Sequence, residues 1–314
     1  MTEHVRVVEV VRETADAHSL VLELPDGWAY QPGQFMTVRA GDVARSYSFS
    51  SSPLTGEPPR ITVKRAGRGS NWICDHVTPG STLECLPPGG VFVPSSLDRD
   101  LLLIAGGSGI TPVMSILKSA LHAGSGRVAL VYANRDASSV IFGDELASLA
   151  CDRLTVVHWL DSDSGMLSVD RLRDLIEPYR DHETFVCGPE AFMDLAEQAV
   201  GTGVHTERFV SMDDNPFERT ASERESVVQV TIGGQTVRLP WPANTRLLDV
   251  LLDHGFIAPS SCRQGNCGTC AVRKTAGEVE MVNNEVLEEE DFAEGYILAC
   301  QALPVTDEVI VTYE

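Results

Sequence analysis

The chain carries Cys262-Arg263-Gln264-Gly265-Asn266-Cys267-Gly268-Thr269-Cys270 and, after a gap, Ala299-Cys300-Gln301. This C-x4-C-x2-C…C spacing is one at which four thiolates hold a [2Fe–2S] cluster. Two irons bridged by sulfides need four thiolates, and here three come from a single loop. Gly265 and Gly268 stand between the ligands, where the backbone must curl and can aim N–H groups at sulfur. A structural zinc site would pair Cys267 and Cys270 with a second knuckle, and none follows them. Cys74-Asp75-His76 supplies half of a Rieske motif with no second half, and reads as chance on a helix surface. Cys262, Cys267, Cys270 and Cys300 are therefore the expected metal ligands, and the chain is expected to move electrons singly.

At 314 residues the chain has room for two or three domains of roughly 100–200 residues each. A hydrophobic content of 43% is ample for globular cores, and no stretch approaches the ~18 apolar residues of a membrane span. The opening Met-Thr-Glu-His-Val-Arg lacks the apolar run of a signal peptide, so a cytoplasmic setting with reduced thiols is expected. The net charge of −21, from 24 basic and 45 acidic side chains, argues against nucleic acid or an anionic membrane as partner. It favours docking on a basic surface. From Val227 to Glu314 there are 13 acidic and 5 basic residues, a net of −8, and the run Glu288-Glu289-Glu290-Asp291 falls between the third and fourth cluster cysteines. Beside an electron exit such a run can steer a basic acceptor.

Three segments follow from the patterning. Residues 1–96 read as short strands (4–13, 19–24, 34–39, 47–50, 60–65 and 82–86) with frequent turns and one helix near 70–77, the signature of an antiparallel β-barrel. Residues 97–210 alternate strands (101–105, 127–132, 154–160, 184–187 and 207–210) with helices, the signature of an α/β parallel-sheet nucleotide-binding domain. Residues 211–226 are polar and read as a linker. From Val227 a hairpin (227–232, 235–239), a helix over 245–254 and the cysteine loop make up the last domain, 227–314.

Two further stretches carry chemistry. In Arg45-Ser46-Tyr47-Ser48 a guanidinium, an aromatic ring and hydroxyls lie within four residues, able to neutralise a phosphate, stack on a planar heterocycle and hydrogen-bond its edge. Ala105-Gly106-Gly107-Ser108-Gly109-Ile110-Thr111-Pro112 is a glycine turn opening a helix that Thr111 can N-cap with Pro112 at its first position. Such a turn cradles a pyrophosphate on backbone N–H groups. The third glycine of the usual G-x-G-x-x-G is replaced by Pro112. Cys74, Cys85 and Cys151 read as packing cysteines. A 2′-phosphate on the coenzyme would need convergent basic groups; Asp136 and Asp144 near Arg135 oppose it, which favours NADH.

Arg45-x-Tyr47-Ser48, followed by Ile61–Arg65 and Gly67-Arg68-Gly69-Ser70-Asn71-Trp72, resembles the flavin domain of the ferredoxin–NAD(P) reductase superfamily. Cys187-Gly188-Pro189-Glu190-Ala191-Phe192-Met193 resembles that superfamily's Cys-Gly-Pro-x-x-Phe-Met. The whole order is similar to the three-domain reductases of bacterial multicomponent oxygenases. The resemblance implies FAD, in preference to FMN, on Arg45 (phosphate), Ser46, Tyr47 (stacked on the ring), Ser48 (near N5), Val63, Lys64, Arg65, Gly69 and Ser70. It implies NADH on Gly107, Ser108, Gly109, Thr111, Pro112, Asn134, Arg135, Gly188 and Pro189, with Cys187 beside the nicotinamide C4. Ser48 and Cys187 are thus the expected catalytic pair. It further implies a C-terminal α+β β-grasp domain of plant-type ferredoxin kind. The implied activity is an NADH reductase feeding a terminal oxygenase component of Rieske type with a steroid substrate. A reductase for another oxygenase, such as a diiron enzyme acting on an aromatic acyl-CoA, and a redox sensor without turnover remain alternatives.

Overall fold

A computed structural model describes residues 2–209, 215–218, 222, 224–260 and 262–313. Half of the expected linker, residues 211–214, 219–221 and 223, lies outside them, as does residue 210. The chain divides into two compact units, Thr2–Phe209 and Val210–Glu314.

The first unit opens with six strands, β1 (Glu3–Arg12), β2 (Ala17–Glu23), β3 (Phe35–Ala40), β4 (Val43–Ser48), β5 (Arg60–Lys64) and β6 (Thr82–Cys85), in the order β4-β3-β6-β1-β2-β5. All their pairings are antiparallel. An isolated bridge from Phe49 to Ile61, with Ser50 N–H donating to the Arg60 carbonyl at 2.7 Å, brings the two ends of the sheet together. The result is a nearly closed barrel around Val5, Leu20, Met36, Phe49 and Ile61. The strand expected at 47–50 is instead β4, paired with β3 across the tight Gly41-Asp42 turn.

The sheet that follows is parallel: β7 (Leu101–Gly106), β8 (Val128–Asn134), β9 (Leu154–Leu160), β10 (Glu183–Gly188) and β11 (Val204–Arg208), in the order β11-β10-β7-β8-β9. Every residue of β7 and β8 is buried, as expected of strands covered by helices on both faces. The last strand starts three residues ahead of the expected 207–210 segment, whose final residue lies outside the described residues.

In the second unit β12 (Glu225–Ile232), β13 (Gln235–Pro242), β14 (Ala271–Ala276), β16 (Tyr296–Leu298) and β18 (Glu308–Thr312) form a mixed sheet, β13-β12-β18-β14-β16. A small ribbon pairs β15 (Val279–Met281) with β17 (Ala302–Pro304). Gly233 and Gly234 both have positive φ, 57° and 77°, the conformation that a two-residue hairpin turn demands. The short helix Leu247–Asp253 packs its leucines on this sheet beside fully buried Trp241. This is the expected β-grasp arrangement.

Barrel and parallel sheet share a charged contact. Lys118, 5% exposed on the helix Ile110–Ala123, donates to Glu57 at 2.7 Å and Glu145 at 2.9 Å, and Arg60 reaches Glu145 at 2.7 Å. Replacing Lys118 by Met would strand Glu57 without its cation. Lys118→Met should cost about 2 kcal/mol, in the range of a hydrogen bond to a charged group, measurable as a lower urea midpoint. An unchanged midpoint would mean that the contact is not a stabilising one.

Candidate functional site

In an open parallel sheet, ligands bind beyond the carboxyl ends of the strands where the order reverses. Here that point lies between β7 and β10. Gly107–Gly109 leaves β7 as a short 3-10 turn and runs straight into the helix. Gly109 is so close to β10 that a Cβ there would stand 2.0 Å from the Cys187 carbonyl oxygen, and a Cβ on Gly188 would stand 2.6 Å from the Phe192 ring. Only glycine lets these segments touch backbone to backbone. The Tyr132 hydroxyl donates to the Gly107 carbonyl at 3.1 Å and accepts from Ile141 N–H at 3.2 Å, pinning the turn from behind. Thr111 is not the N-cap that the sequence suggests. The 3-10 turn starts the winding early, so Gly109 takes that position and Pro112 is third in the helix. The Thr111 hydroxyl bonds back to the Ser108 carbonyl at 3.1 Å.

Cys187, next to last in β10, is fully buried, and burial, with the Glu207 carboxyl adding to it, pushes its thiol well above the ordinary value. It is a neutral, packed thiol. Ser48, at the end of β4 and 2% exposed, donates to Glu207 Oε2 at 3.1 Å. Glu207 sits on β11, 4% exposed, and its Oε1 has no hydrogen-bond partner among the described residues. Burial raises its carboxyl to about 8, against a smaller lowering by Ser48. Barrel and parallel sheet thus bring Ser48, Glu207 and Cys187 together. Glu207 was not among the expected site residues. Its signal in the sequence is slight: an acidic residue near the carboxyl end of a strand in a nucleotide-binding sheet.

On β4, strand alternation puts Arg45 and Tyr47 on one face and Ser46 and Ser48 on the other, with Ser46 hydrogen-bonded to Thr37 at 3.0 Å. Burial raises the Tyr47 phenol, whose oxygen lacks a partner among the described residues. An orphaned buried hydroxyl beside Arg45 fits a site that a bound planar group completes. A Cβ on Gly69 would stand 2.8 Å from Arg45 Cγ, so the helix start Arg68–His76 also closes on Arg45. The Ser70 hydroxyl differs from expectation. It accepts from Ala66 and Gly67 N–H at 2.9 and 3.0 Å and donates to the Gly67 carbonyl, so it is engaged within its own turn. Val63 is buried in the barrel. Lys64 lies 3.9 Å from Asp16 and near the Gly107 turn, whereas Arg65 pairs with Asp75 at 2.6 Å on the helix.

Asn134 ends β8, buried, and exposed Arg135 approaches Asp16 at 3.7 Å. Asp136 accepts from the Ser138 hydroxyl at 2.6 Å and Ser139 N–H at 3.0 Å. The Ser138 contact holds its carboxyl below the usual range, fixing a negative charge at this corner. Pro189 N-caps the helix Glu190–Val200. Cys74 and Cys85 are partly and fully buried, as packing residues should be, but Cys151 is exposed.

In the second unit the four thiols perturb one another in two pairs, Cys262 with Cys267 and Cys270 with Cys300. The interaction lowers Cys267 and Cys300 and raises their partners. Gln264 N–H points at Cys262 Sγ (3.3 Å) and Cys300 N–H at Cys270 Sγ (3.4 Å). Among the described residues no three His, Cys, Asp or Glu side chains gather as they would on one ion. The donor set fits a two-iron cluster, because bridging sulfides leave two outer positions on each tetrahedral iron and the thiols come in twos. Cys267 is exposed, while Cys270 and Cys300 are buried. The loop is stapled by Arg263 to Asp249, both nearly buried.

A glycine-lined nucleotide crevice and a two-iron thiolate loop on one chain define a pyridine-nucleotide reductase with a ferredoxin module. Residues 103–198 match the oxidoreductase NAD-binding domain family and residues 230–305 the 2Fe-2S iron-sulfur cluster binding domain family. The ferredoxin reductase component of 3-ketosteroid-9-alpha-monooxygenase from Rhodococcus rhodochrous is 48% identical, over 98% of this chain and 95% of that protein. The reductase component of glycine betaine monooxygenase from Pseudomonas aeruginosa is 33% identical, over 98% of this chain and 94% of that protein. The solved phthalate dioxygenase reductase shares the fold, with a TM-score of 0.62 and 24% identity over 99% of this chain and 98% of that one. The chain belongs to the family of ferredoxin reductase components of multicomponent monooxygenases.

Glu207 supplies a pH signature. An unfolded glutamate releases its proton near pH ~4.3, whereas the folded carboxyl holds it to about 8. Between those values the folded state carries a proton that the unfolded chain lacks, so stability falls as pH rises through the window and levels above it. Glu207→Gln keeps a partner for Ser48 and cannot ionise. Its melting temperature should gain on the parent protein steadily from pH 5 to about 8; parallel profiles would refute a buried neutral carboxyl.

Proposed function

We propose that the protein is an NADH-dependent reductase that passes electrons through FAD and a [2Fe–2S] cluster to a terminal Rieske oxygenase hydroxylating a 3-ketosteroid. The observation that carries this reading is the presence on one chain of the crevice at Gly107–Gly109 and Cys187–Pro189 and of the four free thiols Cys262, Cys267, Cys270 and Cys300, with backbone N–H groups aimed at Cys262 and Cys270. The steroid assignment rests on the 48% identical relative named for that monooxygenase. A bound flavin would supply the conversion of a two-electron hydride donor's charge into single electrons, and a bound cluster would supply one-electron transfer. The chain's part is to hold these groups. Backbone N–H groups of the two glycine turns meet pyrophosphates, Arg45 meets a phosphate, and Tyr47 stacks on the flavin ring. Gly188 lets the nicotinamide approach beside Cys187. Ser48 and neutral Glu207 keep a hydrogen-bonded proton at the buried floor. The fixed charge of Asp136 opposes a 2′-phosphate, favouring NADH.

The flavin barrel is assigned to 1–96, the nucleotide domain to 97–210, the linker to 211–226 and the ferredoxin domain to 227–314. No helix among the described residues is long and apolar enough to cross a membrane; a cytoplasmic setting suits eight free thiols.

Reconstitution with the partner oxygenase tests this reading. NADH-coupled 9α-hydroxylation of a 3-ketosteroid is expected, and coupling only to an oxygenase of another substrate would overturn the steroid assignment. In the same assay Cys267→Ser should lower NADH-driven cytochrome c reduction by at least about tenfold while sparing ferricyanide reduction, because the cluster needs all four thiolates. A full cytochrome c rate would place the exit elsewhere. The acidic surface around Glu285 and Glu288–Asp291 supports steering of a basic partner. Transfer should then slow as ionic strength rises from about 0.01 M to about 1 M, over which the screening length shrinks from ~30 Å to ~3 Å. A flat salt profile would leave the charge to solubility alone.

A further inference from the structure

The cysteine loop is fastened to its domain by the side chain that follows its last ligand. Gln301 is 4% exposed. Its Oε1 accepts from the Arg246 guanidinium at 2.8 Å, and the same guanidinium also donates to the Gln301 carbonyl at 3.2 Å. Its Nε2 donates to the Arg263 carbonyl at 2.8 Å and reaches Cys300 Sγ at 3.6 Å. This orientation is forced. A guanidinium can only donate and a peptide carbonyl can only accept, so the amide cannot turn over without losing both bonds. Gly265, between the first two ligands, lies flat against this side chain; a Cβ there would stand 3.1 Å from Gln301 Cγ and 2.8 Å from the Asn283 carbonyl oxygen. With φ at +82°, Gly265 gives the loop the turn that brings it there.

We propose that Gln301, held in one orientation by Arg246, is a positioning residue that raises the reduction potential of the iron–sulfur cluster. An added electron places charge on the cluster and its thiolates. N–H donors to those sulfurs stabilise the reduced form and move the potential upward. Arg246 strengthens the effect, because a cation bonded to the amide oxygen polarises the N–H bonds at its other end. The amide thus carries part of a buffered positive charge to Cys300 without placing a guanidinium on the sulfur. The carbonyl of Arg263 fixes the loop at the same time, so one side chain sets both the distance and the field.

The inference rests on the two-iron reading, which iron and acid-labile sulfide counts on the unsubstituted protein test separately. Three full-length variants, Gln301→Leu, Arg246→Met and Arg246→Lys, are compared by spectroelectrochemical titration, with visible circular dichroism reporting an intact cluster. Gln301→Leu should shift the cluster to a more negative potential by about tenfold in its reduction equilibrium, which for one electron is about 59 mV. Arg246→Met should shift it in the same direction by less, and Arg246→Lys should recover most of that difference. Unchanged potentials in either Gln301→Leu or Arg246→Met, with the cluster present, would overturn the proposal. So would loss of the cluster in both, which would make the contacts merely structural.

Discussion

The backbone contact between the glycine turn after β7 and the end of β10 is the constraint from which the nucleotide-binding half of the molecule follows. With Gly109 lying against the Cys187 carbonyl, the helix Ile110–Ala123 starts as close to the sheet as peptide groups permit. Any side chain at that point would push the helix start away and open the crevice. The contact also determines what can stand on the crevice floor. Cys187 is sealed under it, and Glu207 on the neighbouring strand is left facing Ser48 of the barrel. Buried backbone that touches backbone must satisfy its polar groups from elsewhere, and the Tyr132 hydroxyl does so for Gly107 and Ile141 at once.

Charge is handled in opposite ways at the two sites. On the crevice floor the Glu207 carboxyl is kept in its protonated form by burial. Around the cysteine loop, charges are kept but paired or tethered: Arg263 with Asp249, and Arg246 with the Gln301 amide. The loop has little regular secondary structure, and two of its carbonyls accept from side chains. Gln301 serves Arg263, and Asn283 serves Gln264 at 2.7 Å. A thiolate loop fastened only by its metal would lose its shape with the metal; these bonds belong to the polypeptide.

The parts legible in the sequence are those whose chemistry is local. Thiolate spacing, the glycine turn, the all-apolar strands Leu101–Gly106 and Val128–Asn134 and the Gly233-Gly234 hairpin each depend on residues a few positions apart. Local rules failed where a neighbouring turn changed the phase. Gly41-Asp42 folds β4 back on β3 ahead of the expected strand, and the 3-10 turn displaces Thr111 from the cap. What the sequence concealed is long-range polar pairing. Ser48 and Glu207 are 159 positions apart, Arg263 and Gln301 38, and Arg246 and Gln301 55. Nothing in the spacing of a lone glutamate or glutamine announces such partners, since they are chosen by topology after the sheets have formed.

That division has a physical basis. Ligand atoms must come from a short stretch of chain, because several donors have to reach one centre within bonding distance, and a tight loop orders fewer residues to bring them there. Residues that orient those ligands are free of that limit. They need only be presented by a rigid element, and a strand end or the residue before a helix serves equally well: Glu207 near the end of β11, and Arg246 as the N-cap of the helix Leu247–Asp253. The groups that hold the cofactors are therefore readable as motifs. The groups that adjust them become visible only when the two ends of a hydrogen bond are seen together, as with the amide between Arg246 and Cys300.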